Sequence, residues 1–187
     1  CELPYAEAIP HVIERLRDPD AGTRASALLA IAAIAKTAPD GVRDALQELG
    51  ASRDPACRAA AVRAIASLRQ GALVPQVLGV LADVDERVVS AAHDALVRLT
   101  AQDFGSDARP WMKWWEQNAA RHRIEWLIDA LTHDAAEIRR AAGEELRALT
   151  REYFGYAPDL PPRDRDRAQQ RYRDWWMTEG RTRFRRR

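Results

Sequence analysis

Residues 18–34, DPDAGTRASALLAIAAI, decide the fold, because three further segments align with them. These are SRDPACRAAAVRAIASL (52–68), DVDERVVSAAHDALVRL (83–99) and HDAAEIRRAAGEELRAL (133–149). The anchors are Arg24, Arg58, Val89 and Arg139. Two and three residues after each anchor come small side chains: Ser26 and Ala27, Ala60 and Ala61, Ala91 and Ala92, Ala141 and Ala142. Ile31, Ile65, Leu96 and Leu146 follow at seven residues, and Ile34, Leu68, Leu99 and Leu149 at ten. Spacings of three, four and seven line one face of a helix, so each segment predicts an amphipathic helix.

A second amphipathic stretch precedes each of these helices. The first carries Ile9, Val12, Ile13 and Leu16, and the second Val42, Leu46 and Leu49. The third carries Val74, Val77, Leu78 and Leu81, and the fourth Ile124, Leu127, Ile128 and Leu131. An Asp-rich turn joins the members of each pair. Asp20, Asp54, Asp85 and Asp134 are expected as N-caps, where a carboxylate accepts from free backbone N–H groups. Pro55 stands at the first helical position, where its missing N–H costs nothing. The unit is a helical hairpin repeated four times.

The DPDAGTR turn, with Asp18, Asp20 and Arg24, and the alanines and leucines behind it resemble HEAT repeats. The likeness is to the short bacterial type also found in phycobilin lyase-like proteins. It covers roughly residues 5–153, and repeat three departs from it with Val89 at the Arg position. The resemblance implies an all-α fold: a right-handed α-solenoid of about four HEAT hairpins. It implies no reaction.

Anchor spacings of 34, 31 and 50 residues show that something is inserted after the third hairpin. The insert occurs twice. Thr100, Phe104 and Gly105 match Thr150, Phe154 and Gly155, while Trp111, Trp114 and Trp115 match Tyr172, Trp175 and Trp176. Each copy is a Phe-Gly turn followed by a short aromatic helix. In the first, Pro110 is expected to start the helix and Ser106 or Asp107 to cap it. The second copy has a longer loop, expected over Ala157 to Asp166. The expected organisation is a repeat array over 1–153, including the aromatic insert 104–120, then an aromatic capping segment over 154–180 and an Arg-rich tail over 181–187.

Composition narrows the function classes. Lys+Arg is 29 and Asp+Glu is 28 in 187 residues, so the net charge of +1 excludes a generally basic nucleic-acid binder. Two cysteines make neither a disulfide framework nor a four-cysteine zinc site. No phosphate-cradling glycine run, nucleophile elbow or paired-histidine metal motif is present, and no cofactor is expected.

The expected function is a non-catalytic protein–protein interaction scaffold. Trp111, Trp114 and Trp115 share a helical face that is expected to pack back onto the repeats; partner-binding residues are expected among Trp111, Trp114, Trp115, Trp175 and Trp176 where they are exposed, because Trp and Arg are common hot-spot residues. Adjacent residues point about 100° apart on an α-helix, so one of each Trp pair is expected to face outward. Arg183, Arg185 and Arg186 of the tail extend the list toward an acidic partner. Cys1 is read as the lipid attachment point of a mature bacterial lipoprotein, which predicts an anchored structural subunit of an envelope complex. Cys57 is expected to be a small buried residue. The alternatives are a cytoplasmic regulatory HEAT protein and a HEAT-like enzyme of the bilin lyase or DNA glycosylase type. For the last, Asp107 or Asp174 beside the tryptophans is the candidate carboxylate.

Overall fold

The computed structural model describes residues 5–36 and 38–184, with side chains from Glu7 onward. Cys1, Arg185 and Arg186 therefore lie outside the described residues. The described chain is helical with no strand. Its helices are α1 (Tyr5–Arg15), α2 (Ala21–Ile34), α3 (Pro39–Gly50), α4 (Pro55–Ser67), α5 (Val74–Val80) and α6 (Glu86–Thr100). They continue with α7 (Ala108–Asn118), α8 (Arg123–Ala130), α9 (Ala136–Thr150), α10 (Pro162–Trp175) and α11 (Arg181–Arg183). A π-helical segment, Trp176–Gly180, joins the last two.

The chain divides into two compact units. One runs through Leu99 and takes in Phe104–Trp114, while the other holds Thr100–Asp103 and everything from Trp115. In the first unit α1 packs on α2 and α3 packs on α4. Equivalent helices also stack, α1 on α3 and α2 on α4. In the second unit α8 packs on α9, and α10 packs on α8.

The periodic residues build the cores. Val42, Leu46 and Leu49 are buried, as are Val74, Val77 and Leu81, and Ile124, Leu127, Ile128 and Leu131. Each such side chain contributes about 1.5–3 kcal/mol through removal from water. Across from them Ile31, Ile65, Leu96 and Leu146 are buried. Leu149 departs from its row and is exposed, while its counterpart Leu99 is fully buried. Cys57 is buried, and its thiol donates to Asp54 Oδ2 at 3.3 Å.

One turn is built three times with the same device. Arg24 Nη1 donates to the carbonyls of Asp18 and Pro19 at 2.8 and 2.7 Å. Arg58 Nη1 donates to those of Ser52 and Arg53 at 3.0 and 3.1 Å. Arg139 Nη1 donates to those of His133 and Asp134 at 2.8 and 2.6 Å. A fixed guanidinium thus satisfies two carbonyls that the turn leaves without intrahelical partners. Val89 cannot do this, and in that turn Arg87 clasps Asp85 instead, at 2.7 Å. That guanidinium holds the Asp85 carboxyl down at about 2.

The caps follow the expected positions three times out of four. Asp20, Asp54 and Asp85 accept from the N–H groups of Thr23, Ala56 and Arg87. The fourth expectation is corrected: the N-cap is Ala135, which offers no side-chain bond, and not Asp134. His133 carries that turn, its Nδ1 accepting from Ala135 N–H at 3.0 Å. The long loop is also shorter than expected, because α10 already starts at Pro162. Proline suits that first position, so the Asp164–Arg167 run is helical.

Candidate functional site

The two aromatic segments are the most specific constructions in the molecule. Both begin where a helix ends at a buried threonine, Thr100 or Thr150. The next residue adopts a left-handed conformation, Ala101 at φ 57° and Arg151 at φ 63°. Each threonine Oγ1 accepts from the N–H two residues on, from Gln102 in one copy and Glu152 in the other, both at 3.1 Å. Gly105 and Gly155 then take φ of 70° and 75°, a conformation that penalises any side chain with a Cβ.

The rings repeat as closely as the backbone. Phe104 meets Trp111 edge-on at 4.9 Å and 81°, and Phe154 meets Tyr172 at 4.7 Å and 88°. Phe104 to Trp114 is 6.4 Å at 46°, and Phe154 to Trp175 is 6.2 Å at 46°. Edge-to-face placement sets the positive ring edge against the negative face of its neighbour. Each buried ring also anchors its polar atom. Trp111 Nε1–H donates to Gly105 O at 2.6 Å, and Tyr172 OH donates to Glu152 O at 3.1 Å. In the first copy Asp107 caps the helix, accepting from Arg109 N–H at 3.0 Å. The helix begins at Ala108, two residues ahead of Pro110.

Beyond these shared parts the copies separate. Trp111 is 1% exposed, while Trp114 and Trp115 are half-buried. Trp115 packs edge-on against Trp126 at 5.9 Å within the second unit. Trp175 and Trp176 are both buried, at 7% and 4% exposure. The expectation that one of each pair faces outward therefore fails for this pair. The reason is that neighbours close both sides, with His122 5.1 Å from Trp176 and Phe184 6.3 and 6.4 Å from Trp175 and Trp176. Gly180 makes room beneath them, since a Cβ there would lie 2.5 Å from the Trp176 ring. Both indole N–H groups are buried with no acceptor among the described residues.

The tail arginines are engaged as far as they are described. Arg183 pairs with Glu152 at 2.8 Å, and Arg181 approaches Glu125 at 3.7 Å. Asp107 is exposed and clasped by Arg109, whose guanidinium holds its carboxyl below the usual range. Asp174 is exposed and accepts from Gln170 Nε2 at 2.8 Å. Among the described residues no group of three His, Cys, Asp or Glu side chains is placed to hold a metal ion. No helix is long and apolar enough to cross a membrane among them.

Several side chains that matter were not singled out from sequence. Gln169, in an Arg- and Asp-rich stretch, is buried and donates to Ile128 O at 2.8 Å, fastening α10 to α8. Tyr156 is buried with its OH donating to Leu131 O at 2.7 Å, and burial pushes its phenol up to about 12. Arg123 and Glu145 form a bidentate pair at 2.6 and 2.9 Å between α8 and α9. Each unit has a cleft. One of about 310 Å³ in the first unit is lined by residues of α3 and α4 and by the Arg58–Asp83 pair. The other, of about 290 Å³ in the second unit, is lined by α9 and the 153–158 loop. No family model, no curated protein and no solved structure matches the chain.

Proposed function

We propose that this chain is a non-catalytic, protein-binding scaffold whose hairpins are HEAT-type repeats. The observation that carries the proposal is the repeated turn. The same guanidinium clamp at Arg24, Arg58 and Arg139, and the stacking of α1 on α3 and α2 on α4, are how a repeat array is assembled. Such arrays act through extended surfaces made of many repeats, not through a single reactive centre. The clefts agree with this use, since the Arg58 and Asp83 side chains in the larger one are spent on each other at 2.7 Å.

Within the aromatic segments, buried Trp111, Trp175 and Trp176 serve packing. In the first unit the surface offered to a partner is the side of α7 that carries Met112, which is 47% exposed. Aromatic and Met side chains give large contact area on a fixed helix. The test is photo-crosslinking from p-benzoylphenylalanine placed at position 112, in source cells. The expected result is one dominant adduct with a protein that reconstitutes a complex of fixed stoichiometry. Native mass spectrometry of source-cell extract showing only the free chain, with no adduct, would contradict the proposal.

A further inference from the structure

The second unit carries an interaction surface of more definite chemistry than the tryptophans. Its cleft of about 290 Å³ has Arg140, Glu144 and Arg147 of α9 along one side. Tyr153, Tyr156 and Pro158 form the other. Arg140 and Arg147 are exposed, and among the described residues neither has a carboxylate within 4 Å. Arg147 lies over the Tyr153 ring at 5.1 Å, a cation–π contact that orders the guanidinium and leaves its N–H edge open. Tyr153 is 58% exposed, a large aromatic surface facing solvent.

The walls are rigid. Tyr156 is pinned by its bond to Leu131 O. It packs onto Gly143, where a Cβ would stand 2.7 Å from its ring. Pro158 O accepts from Arg139 Nε at 3.0 Å, which fixes the loop to α9. Arg140 and Arg147 are seven residues apart on one helix, hence about 10 Å apart along its axis. A polyproline II segment rises about 3.1 Å per residue with three residues per turn, so side chains three apart share a face about 9 Å apart. Its rings suit an aromatic-lined groove. Glu144 lies between the two arginines and repels any acid placed between the two ends.

We propose that this cleft binds an extended, polyproline-II-like segment of a partner protein with two carboxylates three residues apart and apolar residues, prolines above all, between them. This rests on the protein-binding reading and names the chemistry of one partner. A nucleic acid is disfavoured because Glu144 interrupts the basic edge and the net charge is only +1.

The test uses the full chain and labelled peptides read by fluorescence anisotropy. The probe is acetyl-Ser-Ala-Glu-Pro-Pro-Glu-Ala-Ser-amide, and its controls are the Gln-Pro-Pro-Gln and Pro-Glu-Glu-Pro versions. The expected result is that the probe binds at least about tenfold tighter than either control, since charge-assisted bonds to both arginines are lost or misplaced in the controls. Arg140→Glu with Arg147→Glu, both exposed positions, abolishes binding, and Glu144→Gln tightens it. Circular dichroism establishes that the variants remain folded. Equal binding of probe and controls, no binding at about 1 mM peptide (a free energy of about −4 kcal/mol), or tighter binding of a twelve-residue oligothymidine that the same charge reversal abolishes, would each overturn the proposal. Failure here with the position-112 adduct intact would remove this cleft and leave the scaffold reading standing. Loss of the adduct with peptide binding intact would remove the Met112 surface and leave this cleft as the site of protein binding.

Discussion

The aromatic segments at 100–119 and 150–184 start from one design and finish differently. Both use a buried threonine, a left-handed residue, a positive-φ glycine and a phenylalanine edge-on to a buried ring. The divergence comes four residues after the last tryptophan of each pair. There the first segment has Ala119, whose N–H donates to Trp115 O at 2.8 Å, an ordinary α-type bond. The second has Gly180, and Arg181 N–H donates back to Trp176 O in a π turn. With no Cβ at Gly180, Trp175 and Trp176 settle against the backbone, and Phe184 covers them. Trp114 and Trp115 remain half-buried. Gly180 beneath and Phe184 above therefore separate a closed aromatic pair from one with surface to spare.

The largest expected effect lies in the paired tryptophans. Trp176→Ala should cost about 3–5 kcal/mol by urea denaturation, as for a buried aromatic. Trp115→Ala should cost less, because part of its ring already faces water. Equal costs would break the comparison. Gly180→Ala should destabilise by about 1–3 kcal/mol through overpacking against the Trp176 ring. That sign is opposite to the gain of up to about 1 kcal/mol that alanine brings to an ordinary helix. A stabilised Gly180→Ala protein would show that the glycine is not what admits the pair.

Gly105→Ala and Gly155→Ala sharpen the shared half. No atom lies within 4 Å of a Cβ at Gly105, and at Gly155 only the end of Arg171 does, at 3.5 Å. Both substitutions should therefore cost the same, about 1–2 kcal/mol, set by the left-handed backbone alone. Unequal values would mean that the two turns are not equivalent. A further effect is alkaline. The second segment holds Tyr156, raised to about 12 by burial, and Tyr172, raised for the same reason, while Trp111 occupies the matching place in the first. A raised folded value contributes stability that is complete below the unfolded tyrosine value near 10 and is lost as pH rises toward about 12. Phenolate absorbance at these two rings should appear together with loss of helix in that window. Tyr156→Phe should delay the loss to higher pH, after allowance for its missing bond to Leu131 O.

The helices were legible because burial and capping act locally on residue types, which the helical periodicity and the Asp-rich turns record. The fourth cap was misassigned because Ala135 takes the cap position of that turn, while His133 accepts from Ala135 N–H as Asp18 and Asp83 accept from the N–H groups of Asp20 and Asp85. Burial of both Trp175 and Trp176 was not legible, because it depends on His122 and Phe184, which lie outside α10 and close over the two rings. Gln169 reads as a surface residue until α8 supplies its acceptors. Arg140 and Arg147 read as a solvated helix face, and only the loop that brings Tyr153 and Tyr156 against α9 turns that face into a cleft.

The measurement that tests the account most directly is ¹⁹F NMR of the chain labelled with 5-fluorotryptophan, its resonances assigned by single Trp→Phe variants. Solvent isotope shifts between H₂O and D₂O report the exposure of each indole. The account predicts negligible shifts for Trp111, Trp126, Trp175 and Trp176, and clear shifts for Trp114 and Trp115. A shift at Trp175 or Trp176 as large as that at Trp115 would contradict it, and would place the second pair at the surface with the partner-binding groups.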